Sequence, residues 1–294
     1  MRLQDLIRKG VETVSGLYPE GEAKEMVFAY MEDVFGFKRY KYVLEPEFEM
    51  SADDADRVLS DFARMAGGEP LQYVTGKAYF YGREFRVTPD VLIPRQETEL
   101  LIDSSFSAMT SKTPAKILDL CTGSGCIAWT LALENPGSKV IAVDISDGAL
   151  EVASRQDFAD EAARTGALPP IFIKADVLEG LTSFVETYGD DKFDIIVSNP
   201  PYVMDKEKAL MRTNVLDHEP HLALFVPDND PLIFYRAVAL WASELLCRGG
   251  IGIVEINEAF GVETAQVFKD KGFIHVEVLK DLHDKDRFVK FIKK

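Results

Sequence analysis

Residues 116–144 read KILDLCTGSGCIAWTLALENPGSKVIAVD, and this stretch decides the architecture of most of the chain. An apolar run without alternation, KILDL, leads into a glycine-bearing turn, an apolar stretch of helical length, IAWTLALE, and a second unalternating run, KVIAVD. A strand with no polar face is one buried on both sides, the condition of a parallel sheet with helices above and below it. Glycines at a strand-to-helix turn let a ligand approach the backbone, and the helix start beyond them offers N–H groups to an electronegative group. A tight turn without ligand is the competing reading. Gly123-x-Gly125-x-x-Ala128 satisfies a relaxed dinucleotide fingerprint, whereas nothing like the Lys-Ser/Thr of a P-loop follows it.

The same texture continues downstream. IFIKAD (171–176), FDIIVSN (193–199) and GIGIVEI (250–256) are expected strands, with a late pair near 274–279 and 287–292. Helical stretches separate the first five strands. Only KDLHDKD separates the last two, too short for a right-handed crossover, so they are expected to pair antiparallel. The expected fold class is α/β, a Rossmann-like, mostly parallel seven-stranded sheet with an antiparallel last strand. Upstream the period changes. Residues 2–17, 20–36 and 51–66 carry apolar side chains at helical spacing, and Ser51 with acids behind it opens the third helix. This gives a helical domain at 1–75, suited to recognition. KAYFYGREFRVTPDVLI (77–93), aromatic and β-branched around a Gly-Arg pair, reads as a hairpin in a linker at 76–95. The α/β domain then spans 96–294, opening on a helix from about Thr98 to Met109.

Hydrophobic residues make up 47% and charged ones 28% of the 294 positions, ordinary globular values. No apolar run approaches a bilayer span, and the N-terminus lacks a signal-peptide h-region, so no membrane and a cytoplasmic location are expected. A net charge of −16 argues against an affinity built on neutralising phosphates, and no direct nucleic-acid substrate is expected. Cys121, Cys126 and Cys247 are sparse and no Cys/His cluster has zinc-ligand spacing, so the expectation is reduced thiols and no metal.

Chemistry gathers where the expected strands end. The loop Cys121, Thr122, Gly123, Ser124 and Gly125 follows the first strand. Asp144 ends the second, about 20 residues beyond the glycines, where a carboxylate can accept both hydroxyls of an adenosine ribose. A helix N-cap at Asp144 or Ser146 is the alternative. Asp176 at the third strand end could reach an adenine amino group while Val177 touches the ring, and Asp119 could pair with a ligand ammonium. At the fourth strand end stands Asn199-Pro200-Pro201-Tyr202. Proline cannot continue a ladder, so the pair stops the strand and fixes the carbonyls beside it. A planar amide or amino nitrogen is a poor nucleophile because its lone pair is delocalised. Two acceptors aimed at its hydrogens, the Asn199 side-chain oxygen and the Pro200 carbonyl, favour the geometry in which that pair points at an electrophile. Tyr202 can stack on the planar group and meet positive charge as it develops. A hydride-transfer site has no such need.

With these residues the chain resembles the class I S-adenosylmethionine-dependent methyltransferases acting on planar nitrogen. PLQYVTG (70–76), F-x-G-x-x-F-x-V (80–87), VLIPRQETE (91–99), DLCTGSGCIA (119–128), SNPPYV (198–203) and HEPHLAL (218–224) narrow the resemblance to the peptide chain release factor N5-glutamine methyltransferases. It covers the whole chain. It implies methyl transfer from S-adenosylmethionine, yielding S-adenosylhomocysteine, to the side-chain amide of the glutamine in the Gly-Gly-Gln motif of class 1 release factors. Asn199, Pro200 and Tyr202 would be catalytic, and Pro201 would also line the substrate site. Arg95 and Glu97 would frame that cleft or form a hinge ion pair. The cofactor would meet Asp119, the loop 121–125, Asp144, Asp176, Val177 and Asn199. The chain departs from the pattern at Cys121, usually glycine; at Gln96, usually proline; at Val177, usually tryptophan; and in FVPDNDPL after HLAL. The rival readings are a glutamine methyltransferase of a ribosomal protein, an adenine-N6 methyltransferase acting on flipped bases, a dinucleotide-dependent oxidoreductase and a silent adaptor.

Overall fold

The computed structural model describes residues 1–45, 47–108, 114–188 and 192–294. These fall into two compact units, Met1–Lys77 with Met211–His218, and Ala78–Leu210 with Glu219–Lys294.

The first unit is helical, with its long helices at Leu3–Val14, Glu20–Phe35 and Ala52–Ala66. Their apolar stripes meet in a core that includes Leu3, Leu6, Val27, Tyr30, Val58 and Phe62. Ser51 caps the third helix, its hydroxyl accepting from the Asp54 N–H at 3.1 Å. Gly36, left-handed at φ 67°, closes the second. Gly10 sits mid-helix because a Cβ there would lie 2.3 Å from the Phe62 ring. Buried Tyr30 finds its partner in the Asp61 carboxylate at 2.6 Å, as a buried hydroxyl must. The segment 211–218 brings Arg212 to Glu22 at 3.2 Å.

The second unit opens on a hairpin of β1 (Lys77–Phe80), whose first residue closes the helical unit, and β2 (Arg83–Arg86). Its turn is Tyr81–Gly82, both with positive φ, one place earlier than the Gly-Arg pair read from the sequence. The main sheet comprises β3 (Lys116–Leu120), β4 (Lys139–Asp144), β5 (Ile171–Lys174) and β6 (Phe193–Ser198), and a small side pair follows, β7 (Val203–Met204) with β8 (Phe225–Val226). β9 (Leu246–Glu255), β10 (Ile274–Lys280) and β11 (Asp286–Ile292) complete it. Among the described residues the order is β10-β11-β9-β6-β3-β4-β5, with β11 antiparallel to both neighbours and the pairs from β9 to β5 parallel. The expected fold class is the observed one.

Both faces of the sheet are covered, which is why its strands read as apolar runs. Ile117, Val140 and Ala142 enter one buried cluster with Ile127, Leu131 and Trp129, while Leu118, Leu120, Ile141 and Val143 enter the other with Trp241 and Phe268. The helix expected from Thr98 begins with a 3-10 turn at Gln96–Thr98 and runs Glu99–Ala108; the expected end at Met109 lies outside the described residues. β5 is shorter than expected. Asp176 does not end the strand but opens a turn two residues beyond it, where its carbonyl accepts from the Gly180 N–H at 2.6 Å.

Candidate active site

Strand register brings the candidate residues to one edge. Leu120 lies opposite Val143 of β4 and Ser198 of β6, so Cys121, Asp144 and Asn199 leave three neighbouring strands at the same level. The Ser198 hydroxyl donates to the Leu120 carbonyl at 2.7 Å and locks that register. This is the carboxyl edge of an open α/β sheet, where ligands bind.

A cavity of about 270 Å³ opens along it. Its walls include Cys121, Thr122, Gly123, Ser124, Asp144, Asp176, Val177, Asn199 and Pro201, together with Arg95 and Thr98. The glycine loop is held from below: Thr122 N–H donates to the Val143 carbonyl at 3.0 Å and Gly123 N–H to the Asp144 carboxylate at 2.8 Å. The other Asp144 oxygen accepts from the Ser146 N–H at 3.0 Å. Ser146, not Asp144, caps the following helix, its hydroxyl accepting from the Ala149 N–H at 3.2 Å. Burial pushes the Asp144 carboxyl above its ordinary range, against the pull of those backbone N–H groups. Gly123 and Gly125 both have positive φ, and a Cβ on Gly125 would meet Ala153 at 3.0 Å. Cys121 adopts φ 63° without being glycine, so the loop carries local backbone strain there.

Asp119 lies beneath this cavity and does not line it. It is fully buried, one oxygen accepting from the Thr122 hydroxyl at 2.6 Å and Oδ1 meeting no hydrogen-bond partner of good geometry among the described residues. Burial pushes its carboxyl up to about 7. The folded state therefore binds the proton more tightly than the unfolded chain, whose value is near 3.8. The destabilisation is complete above pH 7, shrinks as pH falls through 7, and is gone below about 4. That gap corresponds to about 4 kcal/mol, part of which an amide would forfeit through its own unmatched hydrogens. Asp119→Asn is expected to raise stability by about 2 kcal/mol at pH 8 and to lower it by about 1.5 kcal/mol at pH 4, where the charge penalty is nearly gone and the cost of the amide remains, read by urea unfolding at the two values.

A second, smaller pocket of about 50 Å³ shares Asn199 with the first and is lined by Leu92, Arg95, Asn199, Pro200, Tyr202, Val203, Ala223 and Leu224. The proline pair is thus split: Pro200 faces the small pocket and Pro201 the large one. Tyr202 is pinned by its N–H to the Leu224 carbonyl at 3.2 Å and by the Asn257 amide donating to its carbonyl at 3.2 Å. Its hydroxyl donates to Glu255 at 3.1 Å, and burial holds it well above the ordinary phenol range.

Arg95 and Glu97 part company. Arg95 lines both pockets and pairs at 2.5 Å with Glu219, a buried carboxylate that also accepts from the Ile93 N–H at 3.2 Å. Glu97 is exposed and lines neither pocket. The sequence reading missed Thr98, Glu219 and Glu255. Glu255 had a signal, a lone charge near the end of the apolar run GIGIVEI on the very edge where the other acids stand. His221 packs edge-on against Phe225 at 5.0 Å, a packing role. Among the described residues no group of three or more His, Cys, Asp or Glu side chains gathers as a metal site, and no helix is long and apolar enough to cross a membrane.

Known proteins share both parts of the chain. Residues 5–76 match the PrmC N-terminal domain and residues 96–222 the Methyltransferase small domain. The release factor glutamine methyltransferase of Bacteroides thetaiotaomicron is 38% identical over 278 residues, covering 95% of both chains. Its counterpart in Flavobacterium psychrophilum is 35% identical over 283 residues, again 95% of both. That of Koribacter versatilis is 40% identical over 245 residues, 83% of this chain and 82% of its own. Identity of this order along nearly the full length of both sequences places the chain in the release factor glutamine methyltransferase family.

Proposed function

We propose that the protein transfers a methyl group from S-adenosylmethionine to the side-chain amide nitrogen of the glutamine in the Gly-Gly-Gln motif of class 1 release factors, in the cytoplasm. The observation that carries this reading is the position of Asn199, the common wall of a large cavity at the sheet edge and a small pocket formed with Pro200 and Tyr202. A methyl donor belongs in the first and a primary amide in the second.

The residues present fit the donor. The unpaired Asp119 Oδ1 is a buried acceptor that a cationic ligand nearby would favour in its ionised form. Asp144 puts a carboxylate in the cavity for the ribose hydroxyls, and Val177 with Leu178 supplies apolar surface for a base. When bound, the donor supplies an electrophilic methyl on a positively charged sulfur.

The chain's own residues prepare the nucleophile. The Asn199 side-chain oxygen and the Pro200 carbonyl accept the two amide hydrogens, turning the nitrogen lone pair toward the large cavity. Tyr202, held at three points, keeps the amide plane in place and faces the charge that develops on nitrogen. As the N–C bond forms and the C–S bond breaks, the nitrogen becomes positive and loses its proton to water, leaving S-adenosylhomocysteine and the N5-methylated glutamine. Arg95, tied to Glu219, forms the rim shared by the two pockets and orients the incoming backbone.

The deciding experiment incubates the protein with methyl-labelled S-adenosylmethionine and an unmethylated release factor, beside the same factor carrying Gln→Ala in the Gly-Gly-Gln motif. Label is expected on the native factor alone. Equal labelling of the two, or none on either while the cofactor still binds in a parallel titration, would overturn the assignment.

A further inference from the structure

An amide side chain has two ends of nearly equal shape, so a site that needs the Asn199 oxygen in one direction must prevent the amide from turning over. Behind Asn199 runs a buried chain of hydrogen bonds. Its Nδ2 donates to Thr98 Oγ1 at 3.2 Å, the Thr98 hydroxyl donates to Glu255 Oε2 at 2.7 Å, and the Tyr202 hydroxyl donates to Glu255 Oε1 at 3.1 Å. Thr98 is 2% and Glu255 1% exposed.

We infer that Thr98 and Glu255 are positioning residues for methyl transfer, setting the direction of the Asn199 amide and holding Tyr202 through the same carboxylate. This rests on the proposed roles of Asn199 and Tyr202. Burial raises the Glu255 carboxyl, and the hydrogen bonds from the Thr98 and Tyr202 hydroxyls draw it back down; in the ionised form those two donors favour, it only accepts, whereas a hydroxyl has a single proton to give. Glu255 therefore takes the Thr98 proton and leaves only lone pairs facing Asn199. A lone pair can be met by Nδ2–H but not by Oδ1, so the amide nitrogen turns toward Thr98 and the oxygen turns toward the pockets that Asn199 lines. The reversed amide would oppose two acceptors in a buried place, an arrangement that leaves both unsatisfied. One carboxylate thereby orients both the acceptor and the aromatic ring of the small pocket, neither of which it needs to touch through substrate.

The test compares Thr98→Ser, which keeps the hydroxyl, with Thr98→Val, which keeps the shape, and with Glu255→Gln, whose amide can donate to Thr98 and reverse the chain. Thr98→Ala stands in should the valine variant fail to accumulate. Measured in the full-length protein are kcat and KM for the release factor, cofactor affinity by titration, melting temperature, and hydrogen exchange of the Asn199 side-chain amide by NMR, its signal identified by its loss in Asn199→Ala. Thr98→Val and Glu255→Gln are expected to lower kcat at least tenfold with KM and cofactor affinity within about twofold, and to speed exchange of the Asn199 amide; Thr98→Ser is expected to stay within about threefold of the parent. Unchanged kcat in Thr98→Val, or equal loss in the serine and valine variants, would overturn the inference. Were the parent itself inactive on release factor, the proposed function would fail on its own, and the amide exchange would still decide: slow in the parent and Thr98→Ser but fast in Thr98→Val supports the relay, while equal rates in all three refute it.

Discussion

Asn199→Ala is expected to lower methyl transfer to the release factor by about 10²–10³-fold, the range found when a single preorganised polar partner is removed from a reacting centre. The substitution deletes the side-chain oxygen that would accept one amide hydrogen and leaves the Pro200 carbonyl to orient the nitrogen alone. Its effect belongs on kcat, because the Asn199 contribution grows as the amide rotates toward the reactive geometry. The change in fold should be small. Asn199 is only partly buried, its side-chain hydrogen bond among the described residues is the one to Thr98, and water from the adjoining cavity can replace it, so the loss of stability should be about 1 kcal/mol or less. Steady-state kinetics with a parallel cofactor titration separates the outcomes. A kcat near that of the parent would remove Asn199 from the reaction, and a loss confined to cofactor affinity would move it to the wall of the larger cavity.

The sheet was legible because burial on both faces erases alternation, so each central strand could be found from its apolar run and placed by the turn after it. Strand ends were legible where a residue incompatible with the ladder followed, as Pro200 and Pro201 follow β6. The end of β5 was not, since Ala175 and Asp176 are as apolar-then-acidic as a true strand end; Ala175 N–H still donates to the Asp144 carbonyl, and the turn closed by Gly180 takes Asp176 out of the strand. At the site, residues that announce themselves by type and edge position were readable: the glycine loop, Asp144, Asn199 and Tyr202. What supports them was not. Thr98 and Glu255 lie 157 positions apart, and Ile93 and Glu219 126, so their hydrogen bonds are products of topology that no local pattern encodes. Arg95, in the extended entry to a 3-10 turn, and Glu97, within that turn, point in different directions, one to the pocket rim and the other to solvent. Nor does any periodicity tie Met211–His218 to the helical unit it belongs to.

Asp144→Ala should weaken S-adenosylmethionine binding by about 2–3 kcal/mol, roughly 30- to 150-fold, the worth of charge-assisted hydrogen bonds to a pair of ligand hydroxyls. Two effects act in the same direction. The ribose loses its acceptor, and the Gly123 and Ser146 N–H groups lose the carboxylate that holds the glycine loop and the start of the next helix in register. Asp144→Asn separates them. The amide oxygen can still accept from one of those N–H groups, so the loop stays closer to its place, but the negative charge that strengthens contacts to the hydroxyls is gone. If ribose binding dominates, Asn should be nearly as damaging as Ala; if loop support dominates, Asn should recover most of the affinity. Against adenosine the two variants should lose about as much as against the full cofactor, because the affected contacts lie on the nucleoside. Against methionine alone neither should change. Calorimetric titration of both variants with the three ligands reads all of this directly, and an affinity for S-adenosylmethionine unchanged in Asp144→Ala would reduce Asp144 to a support for the loop that other hydrogen bonds can replace.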